Sequence, residues 1–209
     1  MSFFESGAYR AAEFLVRQGA NVNAGKFRGW TPLHFAAQKG DKNVAEVLIE
    51  AGADLELKAW ECMGNKDTNA TALQIGIEKG HSGLVESLVD AGAIVEGKDL
   101  VEALKTPDLL QHLLSSEYSL RDTEDDYGRT LLMNAAMRGY LESFRILLAA
   151  GAELDRKDPK ENRTALMWAK SGAKTLTDCI IIEELLDAGA ENDPFLPDDP
   201  DKCAEVILI

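Results

Sequence analysis

The residues able to do chemistry are few: three histidines, three cysteines and a set of carboxylates in a chain of 209 residues. A hydrolase would need a nucleophile beside a base, and a metal site would need ligands at regular spacing. His81 directly follows Gly80 between two helical patterns and reads as a turn residue. His112 lies in an apolar helix with no partner at ligand spacing. No His-x-x-x-His, Cys-x-x-Cys or Gly-x-Ser-x-Gly arrangement occurs, and the glycines follow a punctuation pattern rather than a phosphate loop. Cys179 begins an apolar helix and reads as packed. Cys62 reads as an exposed, oxidisable thiol in a long loop, with no activating base nearby. Asp198, Asp199 and Asp201 lack the spacing and turn glycine of a calcium loop. No residue is therefore assigned a catalytic, cofactor-binding or metal-binding role.

Charge narrows the function further. The chain has 36 acidic and 22 basic residues, a net charge of -14. That balance argues against nucleic acid, whose recognition rests on Lys and Arg against phosphate, and against an anionic membrane surface. No apolar run is long enough to span a bilayer, and the start lacks the pattern of a secretory signal. The odd cysteine count and wide spacing show no disulfide framework, so the expected setting is reducing and cytoplasmic. The charge is uneven: residues 1–60 are neutral, residues 61–120 carry -6, and residues 121–192 and 193–209 carry -4 each.

The elements that must position any functional side chain come from a repeat. Gly-Ala pairs recur at Gly19, Gly52, Gly92, Gly151 and Gly189, each two residues after an apolar doublet such as Leu48-Ile49. Earlier glycines stand at Gly40, Gly80 and Gly139, and threonines at Thr31, Thr71 and Thr130, with Thr164 opening a related segment. Thr31-Pro32 is a hydroxyl N-cap followed by proline at the first helical position. Leu33, Ala36 and Ala37 share one face of that helix, and Gly40 ends it in the left-handed conformation. A second helix follows, with Val44, Val47 and Leu48 on one face. Each helix pair has too little apolar surface to fold alone, so the pairs must stack.

The segment Gly29-Trp-Thr-Pro-Leu-His-Phe-Ala-Ala-Gln-Lys-Gly40 resembles the ankyrin repeat almost throughout. Gly128-Arg-Thr-Leu-Leu-Met-Asn-Ala-Ala-Met-Arg-Gly139 and Asn162-Arg-Thr-Ala-Leu-Met-Trp-Ala169 are looser copies. The resemblance covers residues 7–192 and implies an all-α solenoid of stacked helix pairs with projecting β-hairpin-like fingers. It also implies an intra-repeat hydrogen bond for His34. The expected division is a truncated capping repeat at 1–24, a repeat at 25–57 and one with a long finger at 58–96. A degenerate repeat at 97–121 follows, with repeats at 122–156 and 157–192, the last with an enlarged inter-helix turn. An acidic tail occupies 193–209, and its apolar end from Cys203 is expected to dock on the last helices. The variants Thr-Leu-Leu-Met and Thr-Ala-Leu-Met are similar to those of bacterial stand-alone ankyrin proteins, including effectors and immunity proteins.

Function then lies in surface recognition. The resemblance implies that fingers and first helices line a concave binding face. The variable positions there hold Phe35, Ile75, Asn134 and Trp168, with Met137 one turn on. The fingers contribute Phe27, Arg28, Trp30, Tyr127 and Arg129, and the long finger Trp60. Aromatic, Arg and Met residues are the types enriched at protein interfaces. The expected function is a non-catalytic scaffold that is monomeric alone, needs no cofactor and binds another protein. The acidic C-terminal part would steer a basic partner surface. Alternatives are an interaction domain of a larger enzyme or effector, delivered into a host cell in the latter case, and a small hydrolase using Cys62.

Overall fold

The computed structural model describes residues 5–61, 68–116, 122–172 and 175–191. Cys62, Cys203 and the acidic tail lie outside the described residues, as do the side chains of Phe27 and Trp60. The chain is all-α apart from one short hairpin among the described residues, and it divides into two compact units, residues 1–99 and 100–209.

The first unit holds α1 (Glu5–Arg17), α2 (Pro32–Lys39), α3 (Lys42–Glu50), α4 (Ala72–Glu78) and α5 (Ser82–Asp90). First helices stack on first helices, α2 on α4. Second helices stack on second helices, α1 on α3 and α3 on α5. Strands β1 (Ala59–Glu61) and β2 (Thr68–Ala70) form the base of the long finger, paired antiparallel with Ala59 opposite Ala70. Helix α6 (Gly97–Ala103) spans the boundary. The second unit holds α7 (Pro107–Ser116), α8 (Leu131–Arg138), α9 (Leu141–Ala149), α10 (Ala165–Gly172) and α11 (Leu176–Asp187). It repeats the scheme: α8 stacks on α10, α7 on α9 and α9 on α11.

Local chemistry explains these boundaries. Thr71 Oγ1 accepts from the backbone N–H of Gln74 at 3.3 Å, and Gln74 Oε1 accepts from the N–H of Thr71 at 3.2 Å. This reciprocal pair satisfies two donors that the helix start leaves open. Thr130 and Thr164 cap α8 and α10 by accepting from the N–H groups of Met133 and Met167. Gly40 ends α2 at φ 72°, and a Cβ there would lie 2.6 Å from the His81 ring. Both the backbone conformation and the close ring require glycine.

The core uses small and aliphatic side chains. Leu33, Ala36, Ala37, Ala45 and Leu48 are buried in the first unit, and Leu131, Leu132, Ala135, Ala136, Phe144 and Leu147 in the second. The alanines let helices approach closely, and truncating one of these leucines costs about 2–5 kcal/mol. Ser143 is buried on α9 and donates from Oγ to the carbonyl of Leu104 at 2.7 Å. Helix α1 differs from the other second helices. Its Leu15 is 54% exposed, whereas the repeat-equivalent Leu48, Leu88, Leu147 and Leu185 are buried. Those four sit in helices that each pack against a first helix of their own pair, whereas α1 packs on α3.

Candidate interaction surface

Each unit presents a finger base beside the start of a first helix; the same kind of backbone bond closes the turns of both, and the side chains added to them differ. In the first unit the turn is closed by the N–H of Lys26 donating to the carbonyl of Trp30 at 2.8 Å and the N–H of Gly29 donating to that of Lys26 at 3.0 Å. Arg28 sits in this turn with φ 65° and an exposed side chain. A non-glycine residue there is strained, the kind of strain found at functional sites. The half-buried Trp30 ring lies 5.0 Å from the Phe35 ring and 5.9 Å from that of His34. Phe35 remains 43% exposed.

His34 anchors this arrangement from below. Its Nδ1 accepts from the backbone N–H of Thr31 at 3.2 Å and lies 2.7 Å from Thr31 Oγ1. Its Nε2 lies 3.0 Å from the Leu57 carbonyl, which only a protonated Nε2 can engage as donor. The ring is therefore the neutral tautomer with its proton on Nε2. Burial lowers its pKa, against the opposing pull of the Leu57 and Ala70 backbone groups. The intra-repeat bond implied for His34 is present and is extended by a bond to the next finger.

In the second unit a half-buried carboxylate does what Lys26 cannot. Asp125 Oδ1 accepts from the N–H groups of Tyr127 and Arg129, both at 2.9 Å. Its Oδ2 accepts from Arg129 Nε at 2.9 Å and from Asn134 Nδ2 at 3.0 Å. Asp158 repeats the device in the following finger. Its Oδ1 accepts from the N–H groups of Lys160 and Glu161, and its Oδ2 from the N–H of Arg163 and from Trp168 Nε1 at 3.2 Å. Burial opposes the charge on both carboxylates. The converging donors outweigh it and hold both pKa values below the usual carboxylate range.

Above these carboxylates stands a ladder of cations and rings. Arg129 lies 4.7 Å from the Tyr127 ring centre and 5.7 Å from that of Trp168. Arg163 lies 4.9 Å from the Trp168 ring and Lys160 4.3 Å from the Tyr127 ring. Met137 joins through its sulfur, which accepts from Arg129 Nη1 at 3.5 Å. Tyr127 is 55% exposed, so the ladder faces solvent.

The structure thus brings Arg28, Trp30 and Phe35 to one finger base, and Tyr127, Arg129, Met137 and Trp168 to another. It overturns two expectations. Ile75 and Asn134 are both fully buried, so neither belongs to an open surface. Ile75 lies on α4, which packs against α2 and α5. Asn134 turns inward, with Nδ2 donating to Asp125 and to the Thr130 carbonyl. Sequence reasoning missed Asp125, Asp158 and Lys160. The signal available was an aspartate a few residues ahead of each Arg-Thr pair, Arg129-Thr130 and Arg163-Thr164.

Among the described residues no group of three His, Cys, Asp or Glu side chains could hold a metal ion, and no helix is long and apolar enough to cross a membrane. Cys179 is buried, as its helix position implies, and is disulfide-bonded, which the odd count and wide spacing of the cysteines did not reveal.

The sequence model of the ankyrin repeats, in three copies, matches residues 1–99 and 100–194, and the chain belongs to this family. Repeats of this family generally serve as interaction modules rather than catalytic ones. Among solved structures, the fold is similar to a chain in a complex of a predatory endopeptidase from Bdellovibrio bacteriovorus with an immunity protein. The TM-score is 0.68 at 24% identity, covering 86% of this chain and 96% of that one. It is also similar to the ankyrin repeat domain of Bcl-3, a member of the IkappaB family, with a TM-score of 0.66 at 24% identity over 84% of this chain and 77% of that one. Among curated proteins, 45 residues are 44% identical to the mouse (Mus musculus) RelA-associated inhibitor, 22% of this chain and 6% of that protein. A further 49-residue match is 41% identical to human (Homo sapiens) protein phosphatase 1 regulatory subunit 27, 23% of this chain and 32% of that protein. A 50-residue match to a glycerophosphocholine phosphodiesterase of Eremothecium gossypii, at 46% identity, spans 23% of this chain and 4% of that enzyme. The chain thus spans a third or less of the length of these curated relatives.

Proposed function

We propose that this chain is a non-catalytic scaffold that binds a partner protein through its fingers and first helices, the concave face of an ankyrin stack. One observation carries the reading. Phe35 and Tyr127 stand 43% and 55% exposed at finger bases, while the cores beneath are built from small and aliphatic residues. Large rings left in water at the positions where repeats vary serve recognition rather than folding. The similarity to chains from an immunity-protein complex and from an IkappaB-type protein supports an inhibiting or neutralising role. The acidic charge of the second half favours a partner of basic overall surface.

The test is affinity capture from the native extract beside a Phe35→Ala/Tyr127→Ala variant. Both side chains are exposed, so the variant keeps the thermal midpoint of the parent to within about 2 °C. Loss of a specific partner from the variant is expected. Identical captured proteins from both would remove the assignment to this face.

A further inference from the structure

Neighbouring second helices are tied together by a polar bridge that recurs at one pair of positions. In the α3–α5 stack, Ser87 Oγ donates to Glu46 Oε1 at 3.2 Å. In the α9–α11 stack, Arg145 Nη2 donates to Glu184 Oε1 at 2.7 Å. Glu46 and Arg145 each stand two residues before the leucine of their apolar doublet, Leu48 and Leu147. Ser87 and Glu184 each stand one residue before theirs, Leu88 and Leu185. In the α1–α3 stack the same two places hold Glu13 and Val47. Val47 has no polar group, so the bridge cannot form. Glu13 instead accepts from Arg17 Nη2 on its own helix at 2.5 Å.

A cavity of about 290 Å³ lies where that bridge is missing. It is lined by Val16 and Val47, by Tyr9, and by the charged side chains of Glu13, Arg17 and Glu50. Two carboxylates thus stand against one guanidinium. The Arg17 side chain is 73% exposed and holds Glu13 as an i, i+4 pair. Such an exposed pair is worth little and is readily exchanged. Glu50 is exposed and has no ion-pair partner among the described residues. The groove therefore lacks a cationic donor, and its valines call for an apolar stem behind that donor. A lysine side chain supplies both, four methylenes and a compact ammonium head with three donors. The ring of Tyr9 adds a face that attracts a cation.

We propose that the groove between α1 and α3 seats a lysine side chain of a partner protein, with its ammonium held by Glu50 and Glu13 and its stem lying on Val47 and Val16. The inference goes beyond the finger face, because it places a contact on the second-helix side of the first unit.

The experiment uses the full chain labelled with nitrogen-15. The amide resonances of Val16, Arg17, Val47 and Ala51 are followed as acetylated, amidated Gly-Lys-Gly is added up to about 10 mM, beside the same peptide carrying norleucine or glutamate in place of lysine. The lysine peptide should shift these resonances saturably and the other two should not. E50Q removes an exposed charge, keeps the thermal midpoint of the parent and should weaken binding by about tenfold. V47S supplies the hydroxyl that α5 carries at this place, completes the bridge to Glu13 and should weaken binding as well. Equal shifts with the norleucine peptide, no saturable shift with the lysine peptide, or undiminished binding in E50Q would each overturn the inference. The Phe35→Ala/Tyr127→Ala variant should bind the lysine peptide as the parent does, so the finger reading and this one stand or fall separately.

Discussion

Two finger bases in this molecule solve one problem with different chemistry. The turns at Lys26–Thr31, Asp125–Thr130 and Asp158–Thr164 share one backbone closure, and the first and last hold a left-handed Arg28 and Asn162, but only the first is covered by the rings of Trp30 and Phe35. The turns at Asp125–Thr130 and Asp158–Thr164 are each also organised around a carboxylate, half-buried Asp125 and buried Asp158, that gathers the backbone N–H groups of its own turn. A carboxylate at the centre frees the ring and guanidinium groups to stack over it. A lysine at the equivalent position cannot accept those bonds, so there the shared backbone bonds are supplemented by apolar contact instead. The first base is thus an apolar patch and the second a preorganised polar one, with one left-handed non-glycine residue in each unit, Arg28 and Asn162.

The largest effect should come from removing a central carboxylate. Asp158→Ala leaves several N–H donors without an acceptor and should destabilise the second unit by about 3 kcal/mol. Lys26→Ala at the matching place should change stability by less than about 0.5 kcal/mol. Urea midpoints followed by tryptophan fluorescence measure both, and equal shifts would erase the contrast. Next in size is His34→Ala, which removes bonds to Thr31 and Leu57 and should cost about 2 kcal/mol, expressed as faster hydrogen exchange in α2 and at the base of the long finger.

Acidification separates the two bases by a different route. His34 is neutral in the fold with a lowered pKa, so the unfolded chain binds its proton first. Its contribution is complete above about pH 6.5 and declines as pH falls through that value. Asp125 and Asp158 have lowered pKa values, so their contribution is complete above about pH 4 and is lost as pH falls below it. Asp99, at the end of the first unit, is raised by burial and has the opposite sign in the acid range. Between about pH 6.5 and 5, protection should therefore fall in α2 before it falls in α8 and α10, a sequence that exchange rates corrected for intrinsic pH dependence can read. The smallest effect is a gain: Arg28→Gly relieves the left-handed strain and should stabilise the first unit by up to about 1 kcal/mol. A loss there would show that the Arg28 side chain is needed for folding.

Much of this was legible in sequence because ankyrin punctuation is made of local rules. Thr31-Pro32, the Leu33-Ala36-Ala37 face and Gly40 each specify one helix boundary or contact through short-range chemistry. The His34 bond followed from the family resemblance, but its reach to Leu57 did not, since that depends on where the next finger lies. Exposure at the variable positions was less legible. Phe35, Ile75, Asn134 and Trp168 occupy equivalent places, yet Phe35 is open, Trp168 is half-buried and the other two are fully enclosed. The difference is set by neighbours outside the helix itself: α2 and α5 pack on α4, which carries Ile75, and Asp125 draws Asn134 inward. Helical periodicity cannot supply that information.

The central claim is that recognition lies on the finger bases. A photo-crosslinking residue placed at Phe35, at Tyr127 and, as control, at the exposed Lys105 after α6 tests it most directly in native extract. The account predicts the same partner protein crosslinked from Phe35 and from Tyr127 and not from Lys105. Crosslinks to that partner from Lys105 alone would contradict it.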